Sequence, residues 1–179
     1  MNEGEGEKIL CEGKFLRLMR RGTWEYCERM KISGIVGIAG VTDEGKLLLV
    51  EQYRIPLGKS CIELPAGLAG DIPGEENEDM VNAAGRELLE ETGYSASSIR
   101  FICEGPPSAG SSTEMIRIYL ATGLERTGDG GGDASEEIVL HEIPVVEVPK
   151  WLKEQERLGK LVDLRIYTAL FFITNQHDS

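Results

Sequence analysis

The sequence predicts a mixed α/β (α+β) fold in which many short strands are interleaved with few helices. Two observations lead to this class. Short apolar runs recur between glycine- and proline-containing turns, and the segment Met80–Thr92 has a clear helical period. Elements in this order pack as α+β or α/β/α layers. The 179-residue chain has no internal repeat and no long linker, so we expect one domain over residues 1–179.

The N-terminal part of the chain is predicted to form strands at residues 9–19, 24–30, 34–41 and 46–53. Residues 42–45, with the sequence Thr-Asp-Glu-Gly, join the last two strands and are a good hairpin signal. A short strand at 61–64 is ended by Pro65. The segment 66–74 contains three glycines and a proline, so it is predicted to be a loop.

The helical period of Met80–Thr92 comes from one apolar stripe, and Gly93 is placed to end the helix. Further strands are predicted at 99–103, 115–121 and 138–146, and further helices at 149–158 and 161–175. Residues 128–132 are rich in glycine and are predicted to be flexible.

The composition is typical of a globular protein, with 41% hydrophobic and 28% charged residues. The formal net charge of -12 argues against binding to nucleic acid, which needs a basic surface. No apolar run is long enough for a signal peptide or a membrane span. We expect reduced, mostly buried thiols in a cytoplasmic protein, because no metal-ligand spacing links the four cysteines, Cys11, Cys27, Cys61 and Cys103.

Three glutamates, Glu87, Glu90 and Glu91, lie on one face of the predicted helix, in its last turn. Their charges repel one another and the negative end of the helix dipole. A divalent cation would reverse this balance, and oxygen ligands of this kind suit Mg²⁺ or Mn²⁺. Arg86 is placed to pair with Glu90 four residues later. Taken alone, this pattern also fits a solvated acidic face with one ion pair.

The wider pattern resembles the Nudix box, whose form is G-x(5)-E-x(7)-R-E-U-x-E-E-x-G-U. Every fixed position from the first glutamate onward matches, namely Glu78, Arg86, Glu87, Leu88, Glu90, Glu91, Gly93 and Tyr94. The first glycine of the pattern departs, because its position holds Ile72. Gly67 looks like the box glycine, with about five additional residues before Glu78.

Two further segments are similar to the ADP-ribose and nucleoside diphosphate sugar branch of the Nudix family. They are residues 50–54, Val-Glu-Gln-Tyr-Arg, and 61–67, Cys-Ile-Glu-Leu-Pro-Ala-Gly; Trp24-Glu25 upstream fits as well. The resemblance implies a Nudix-type α/β/α sandwich with a mixed sheet plus N-terminal antiparallel strands. It also implies a homodimer in which residues 1–33 are exchanged between subunits, with residues 34–179 forming the Nudix fold.

The resemblance also implies roles for individual residues. The metal ligands would be Glu87, Glu91 and the backbone carbonyl of Ala66, with Mg²⁺ as the cation and Mn²⁺ as a possible substitute. The substrate would be held by Trp24, which stacks on the base, and by Glu25, Arg54 and Glu63. Catalysis would involve Arg86, Glu90 and a general base in a mobile acidic segment. That segment is residues 133–137 here, and Glu136 is preferred, with Glu137 and Asp133 as alternatives.

The function that these residues imply is Mg²⁺-dependent hydrolysis of a diphosphate bridge by water, with nucleoside monophosphate and sugar phosphate as products. The expected substrate is ADP-ribose or a related nucleoside diphosphate sugar, without nucleic acid or membrane as partners. Two alternatives stay open. The box also fits enzymes that act on dinucleoside polyphosphates or other nucleotides. A non-catalytic nucleotide-sugar sensor would lose box carboxylates or carry a DNA-binding module, whereas this chain keeps Glu87, Glu90 and Glu91.

Overall fold

A computed structural model describes residues 6–132 and 137–175 of the protein. Its strands are β1 Lys8–Glu12, β2 Leu16–Arg21, β3 Trp24–Arg29, β4 Gly34–Gly40, β5 Lys46–Arg54, β6 Lys59–Glu63, β7 Ala66–Ala69, β8 Tyr94–Gly105, β9 Ile116–Arg126, β10 Ile138–Pro144 and β11 Leu161–Val162. Its α-helices are α1 Met80–Thr92, α2 Val148–Arg157 and α3 Leu164–Thr174. Short 3₁₀ turns lie at Ile55–Leu57 and Val145–Glu147.

The strands of the described residues form three sheets. The N-terminal sheet is an antiparallel meander with the order β1-β2-β3. The second sheet has the order β10-β5-β6-β11 and the third has the order β7-β4-β9-β8. Both are mixed, because β11 runs parallel to β6 and β4 runs parallel to β9 while their other neighbours are antiparallel.

The helices cover the two mixed sheets from opposite sides. Ala83, Ala84 and Leu88 of α1 are buried in a cluster with residues of β4 and β9. A separate cluster joins the buried side chains of α2 and α3 to β5 and β6, through Val148, Leu152, Ile166, Ala169 and Leu170. The predicted α/β/α sandwich with a mixed sheet and N-terminal antiparallel strands is therefore confirmed.

Helix α1 occupies the predicted residues, and both of its ends have a local cause. The Asp79 side chain accepts a hydrogen bond from the Val81 N–H at 2.8 Å, which caps the first turn. At the other end, Gly93 has φ 76° and donates its N–H to the Leu89 carbonyl. A residue with a Cβ is strained in this left-handed conformation, so glycine is the natural residue after the last turn.

The turn predicted at residues 42–45 forms, but the hairpin around it is limited to one antiparallel bridge between Val41 and Leu47. Gly45 N–H bonds the Thr42 carbonyl at 2.9 Å, but β4 and β5 then diverge into different sheets. Both strands carry apolar residues on both faces, as Leu47, Leu48 and Leu49 of β5 show by being fully buried. Such strands are typical of sheet interiors, where each needs a neighbour on either side.

Three other boundaries also differ from the predictions. The strand predicted at 9–19 is a hairpin of β1 and β2, in which the Gly13 N–H bonds the Leu16 carbonyl at 2.8 Å. The terminal helix begins only at Leu164, because Leu161 and Val162 add a short parallel strand beside β6. The predicted loop 66–74 begins with strand β7, which pairs with β4.

The N-terminal sheet is attached to the rest of the chain mainly along β3. The Cys27 N–H bonds the Ser111 carbonyl at 2.8 Å, and Arg29 Nε donates to Glu114 Oε1 at 2.8 Å. Of the four free thiols only Cys61 is buried, whereas Cys11 and Cys27 are exposed on this sheet. The expectation of mostly buried thiols is therefore wrong, because Cys11 and Cys27 lie at exposed positions of β1 and β3. None of the described helices is long and apolar enough to cross a membrane.

Candidate active site

The last two turns of α1 lie against β7. The Glu91 side chain is buried at 6% exposure, and its Oε2 accepts a hydrogen bond from the Ala66 N–H at 3.1 Å. Ala66 is fixed in turn by its register opposite Gly37 in β4. The sequence analysis assigned the Ala66 carbonyl as a metal ligand. In the structure Ala66 does lie beside Glu91, but the group that contacts the carboxylate is the Ala66 N–H.

The side chain of Glu87 occupies the space that a side chain at position 67 would need, so a glycine is required there. A Cβ at Gly67 would lie 1.9 Å from Cδ of Glu87 and 2.1 Å from its Oε1. Burial raises the pKa of the Glu87 carboxyl to about 7, and the Arg86 charge only partly opposes this effect. Strand β7 is thus the backbone wall against which buried Glu91 and partly buried Glu87 of α1 are held.

Arg86 connects the acidic residues around this wall. Its guanidinium makes a two-bond pair with Glu78, with both distances 3.0 Å, and also donates to the Leu68 carbonyl at 2.9 Å. It reaches Glu87 at 2.8 Å and Glu90 at 3.2 Å, which confirms the predicted pair with Glu90. The pKa of Glu78 is lowered, chiefly by its bonds to Arg86. The additional residues before Glu78 therefore still let it pair with Arg86.

The donor atoms fit a hard divalent cation by their chemistry. Glu87 and Glu91 offer carboxylate oxygens beside the backbone of β7, and oxygen ligands are what Mg²⁺ and Mn²⁺ prefer. In residues 6–132 and 137–175, no three acidic, histidine or cysteine side chains are arranged to hold an ion as they stand. Arg86 bonds one oxygen each of Glu87 and Glu90, and the second oxygen of each carboxylate has no bond to Arg86.

A glycine segment, residues 128–132, caps the C-terminus of α1. Gly131 N–H bonds the Glu91 carbonyl and Gly132 N–H bonds the Glu90 carbonyl, both at 3.0 Å. The approach is close, since a Cβ at Gly130 would lie 2.6 Å from the Thr92 carbonyl carbon. These amides satisfy helix-end carbonyls and offset the negative end of the dipole, which helps three glutamates to share one turn.

Beside β7 lies a cleft of about 830 Å³, lined among others by Ala66, Gly67, Arg54 and Glu63. Arg54 donates two hydrogen bonds to the Glu63 carboxylate, at 2.7 and 2.6 Å. These two predicted substrate residues are therefore brought together next to two positions of β7. Such a volume is within the usual range for sites that bind small molecules.

The other predicted residues lie outside this cleft or outside the described residues. Trp24 is 65% exposed at the start of β3 and does not line the cleft. Glu25 is paired with Arg20 at 2.6 Å on the same sheet. Glu136 and Asp133 are not among the described residues, and Glu137 is exposed just before β10. Their assigned roles stay predictions.

Two arginines of the cleft were not predicted from the sequence. Arg29 comes from β3 and pairs with Glu114, and Arg165 comes from the first turn of α3 and pairs with Asp163. Neither residue belongs to a recognisable motif. The Asp-x-Arg pattern at the start of α3 could have indicated a helix cap, but not that the arginine lines a cleft.

Residues 33–163 match the NUDIX domain family. The match covers most of the chain and includes α1, β7 and most residues that line the cleft, but not Arg29 or Arg165. The chain belongs to the Nudix family of hydrolases. Members of this family use divalent metal cations, in agreement with the donor chemistry of α1.

The chain is also similar to curated bacterial proteins, one of them an ADP-ribose pyrophosphatase. It is 39% identical over 97 residues to an ADP-ribose pyrophosphatase of Bacillus subtilis, a match covering 54% of this chain and 50% of that protein. It is 36% identical over 129 residues to a methanol dehydrogenase activator of Bacillus methanolicus, covering 72% of this chain and 67% of that protein. The chain thus spans about half the length of the pyrophosphatase relative.

A solved structure has the same fold over nearly its whole length. The crystal structure of an ADP compounds hydrolase superimposes with a TM-score of 0.73, covering 96% of this chain and 91% of that chain. The sequence identity is 20%, so this likeness supports the fold. The family match and the relatives agree with the branch that the sequence motifs indicated.

Proposed function

We propose that this protein is a divalent-cation-dependent hydrolase of nucleoside diphosphate sugars, with ADP-ribose as the expected substrate. One observation carries the proposal. The glutamates of the box, Glu87 and Glu91, are packed on β7, and the same strand lines the cleft that contains Arg54 and Glu63. The acidic ligands of α1 therefore pack on the same strand that lines a cleft of ligand size, although none of the described residues of α1 lines the cleft itself.

In the proposed reaction, water attacks one phosphorus of the diphosphate bridge. A new P–O bond forms, the bridging P–O bond breaks, and the leaving phosphate keeps the electron pair. When bound, Mg²⁺ neutralises phosphate oxygens and promotes ionisation of the attacking water. Arg86 holds Glu87 and Glu90 in place on α1, and Ala66 N–H orients Glu91. Arg54, which lines the cleft, supplies positive charge to the diphosphate.

The general base is proposed to be Glu136. It lies outside the described residues, so the support comes from the chain on either side of it. Gly132 is bonded to the Glu90 carbonyl, four positions before Glu136, and β10 begins at Ile138. A span of four residues reaches at most about 14 Å. The chain length between these two fixed points is therefore compatible with Glu136 as the general base.

The base of the substrate is proposed to stack on Trp24 of a second subunit, with Glu25 beside it. Within one chain these residues do not line the cleft, so this role needs the predicted homodimer. The exposed indole of Trp24 and its exposed neighbours on β1 and β2 are compatible with such an interface. Nucleic acid is not expected as a partner, given the net charge of -12.

The test is a panel assay of the purified protein with Mg²⁺ or Mn²⁺ and a coupled phosphatase that releases inorganic phosphate. We expect ADP-ribose and other nucleoside diphosphate sugars to be cleaved at least about tenfold more efficiently than dinucleoside polyphosphates. A preference for dinucleoside polyphosphates would overturn the substrate proposal. Binding of ADP-ribose without turnover under any metal condition would support the sensor alternative.

A further inference from the structure

The Glu63 carboxylate is shared by two arginines from different parts of the chain. Arg54, at the end of β5, donates two hydrogen bonds to it. Arg165, in the first turn of α3, approaches the same oxygen, Oε2, with its Nη2 at 3.4 Å. Glu63 is only 5% exposed, whereas the Arg54 side chain is 38% exposed toward the cleft. Of the two arginines, Arg54 is thus the more accessible, and its side chain lines the cleft.

Arg165 is held in this position by its own element. Asp163 accepts a hydrogen bond from the Arg165 backbone N–H at 2.8 Å, and its Oδ2 accepts from Arg165 Nε at 2.6 Å. Asp163 is anchored in turn by a backbone bond from its N–H to the Ile62 carbonyl at 2.9 Å. The guanidinium of Arg165 is therefore held beside Glu63 by contacts that do not involve Arg54.

This arrangement answers a difficulty raised by the proposed function. A buried carboxylate that loses its counter-ion is strongly destabilised. If Arg54 turned to the diphosphate of the substrate and Glu63 had no other cation, substrate binding would have to overcome that cost. With Arg165 in place, the cost is small, because Glu63 keeps a partner.

We propose that Arg165 is a positioning residue for substrate binding: it is the standing counter-ion of Glu63 and thereby releases Arg54 to the diphosphate. This inference rests on the proposed function. It predicts that Arg165 acts only through Glu63, without touching the reacting atoms. A role confined to capping α3 would instead be independent of Glu63.

The kinetic test is a cycle of Arg165→Gln and Glu63→Gln, with ADP-ribose and Mg²⁺. In the wild-type background, Arg165→Gln should raise KM about tenfold, equivalent to about 1.4 kcal/mol, with a smaller change in kcat. Arg165→Lys should restore part of the loss. In the Glu63→Gln background, Arg165→Gln should change KM less than about twofold, since no buried charge then needs a partner. Equal effects in the two backgrounds would overturn the inference.

A second cycle needs no substrate and so separates the two proposals. Arg54→Gln and Arg165→Gln should each lower Tm modestly, because one arginine still faces Glu63. The double variant should lose at least about 5 °C more than the sum of the single losses, and adding Glu63→Gln should restore most of that excess. Arg157→Gln, an exposed arginine of α2, is the matched control and should add to Arg54→Gln without excess.

The two cycles give different patterns for different failures. Additive losses of Tm for Arg54→Gln and Arg165→Gln would show that the arginines do not share Glu63, even if the enzyme is active. The other case is an excess loss of Tm in a protein that cleaves no substrate of the panel. That result would overturn the proposed function and the role of Arg165 in substrate binding. It would still show that both arginines pair with Glu63.

Discussion

At the scale of single residues, Arg86 fixes the positions of the glutamate side chains around the end of α1. Its five donors reach the side chains of Glu78, Glu87 and Glu90 and the carbonyl of Leu68. A planar, permanently charged guanidinium can make such bonds at once, which a lysine ammonium cannot. Glu91 is positioned separately by the Ala66 amide. The two proposed ligands, Glu87 and Glu91, therefore have different restraints and should respond differently to substitution.

Glu87→Gln should make the metal-free protein more stable at high pH. The pKa of Glu87 is about 7 in the folded protein against an ordinary value of 4.5. Because folding raises it, the stability from its protonated form is fully present below about pH 4.5 and is lost as the pH rises through 7. The neutral glutamine has no such loss. We expect the Tm of the variant, measured in EDTA, to exceed that of the wild type at pH 8 and to match it near pH 4.5.

If the variant were less stable than the wild type at pH 8, the bond from Arg86 to Glu87 would outweigh the cost of burying the charge. Activity with Mg²⁺ should nevertheless be lost in Glu87→Gln. Greater stability without the metal ion and lower activity with it would together indicate a site that is strained until a cation binds.

Glu136→Gln should lower kcat about 10²- to 10⁴-fold with little change in KM, because a general base acts in the transition state. Glu137→Gln is the matched control at the next position and should have a smaller effect, since neighbouring residues of an extended chain face opposite sides. Single-turnover kinetics of both variants measure the difference. Damage confined to Glu137→Gln would shift the assignment by one residue, and severalfold or smaller losses in both would exclude this segment as the source of the base.

At the scale of elements, the sequence indicated α1 well because its helical period and the closing glycine, Gly93, agree on the same helix. Strand β7 could not be recognised, since Ala66-Gly67-Leu68-Ala69 has no β-forming bias and looks like part of the following loop. The glycine at position 67 is required by Glu87, which packs against it, and that reason exists only in three dimensions. The divergence of β4 and β5 was hidden for the same reason, because local turn chemistry does not report which sheet each strand joins.

The glycine segment at 128–132 was predicted to be flexible, yet part of it is bonded to the end of α1. Gly130→Ala tests this contact. Gly45→Ala is the matched control, because Gly130 and Gly45 have nearly the same φ, 71° and 72°, but a Cβ at Gly45 meets nothing within 4 Å. Left-handed strain should destabilise both variants by about 1 kcal/mol. Gly130→Ala should lose at least about 1 kcal/mol more, because its Cβ meets the backbone of Thr92.

Urea denaturation gives the two free energies of unfolding, and kcat should fall only in Gly130→Ala, where the last turn of α1 is disturbed. Equal losses of stability in the two variants, with kcat unchanged in both, would mean that the glycine segment does not support the helix end.

At the scale of the whole molecule, the proposed role of the N-terminal sheet in substrate binding depends on a second subunit of the predicted homodimer. It carries exposed apolar side chains such as Ile9, Leu16 and Trp24, and it touches the rest of its own chain mainly along β3. Arg29 at the end of β3 lines the cleft whereas Trp24 at its start does not. A partner subunit is therefore needed if Trp24 is to complete a site.

We expect sedimentation at micromolar concentration to show two subunits per particle. Trp24→Ala should then raise KM for ADP-ribose about five- to a hundredfold, because base stacking contributes about 1–3 kcal/mol. kcat should change less, since stacking on a remote base is equal in the ground and transition states. Phe101→Ala, which removes an exposed aromatic of β8, is the control. A monomer, or an unchanged KM in Trp24→Ala, would contradict this role.

The most direct test of the account is the rate at which wild-type protein and Glu91→Gln convert ADP-ribose to AMP and ribose 5-phosphate, with Mg²⁺ and with EDTA. Glu125→Gln, an exposed glutamate of β9, is the control variant. The account predicts Mg²⁺-dependent release of both products by the wild type and by Glu125→Gln, and a loss of at least about a thousandfold, or about 4 kcal/mol, in Glu91→Gln. Turnover in EDTA, or more than about a tenth of wild-type activity in a folded Glu91→Gln, would contradict it.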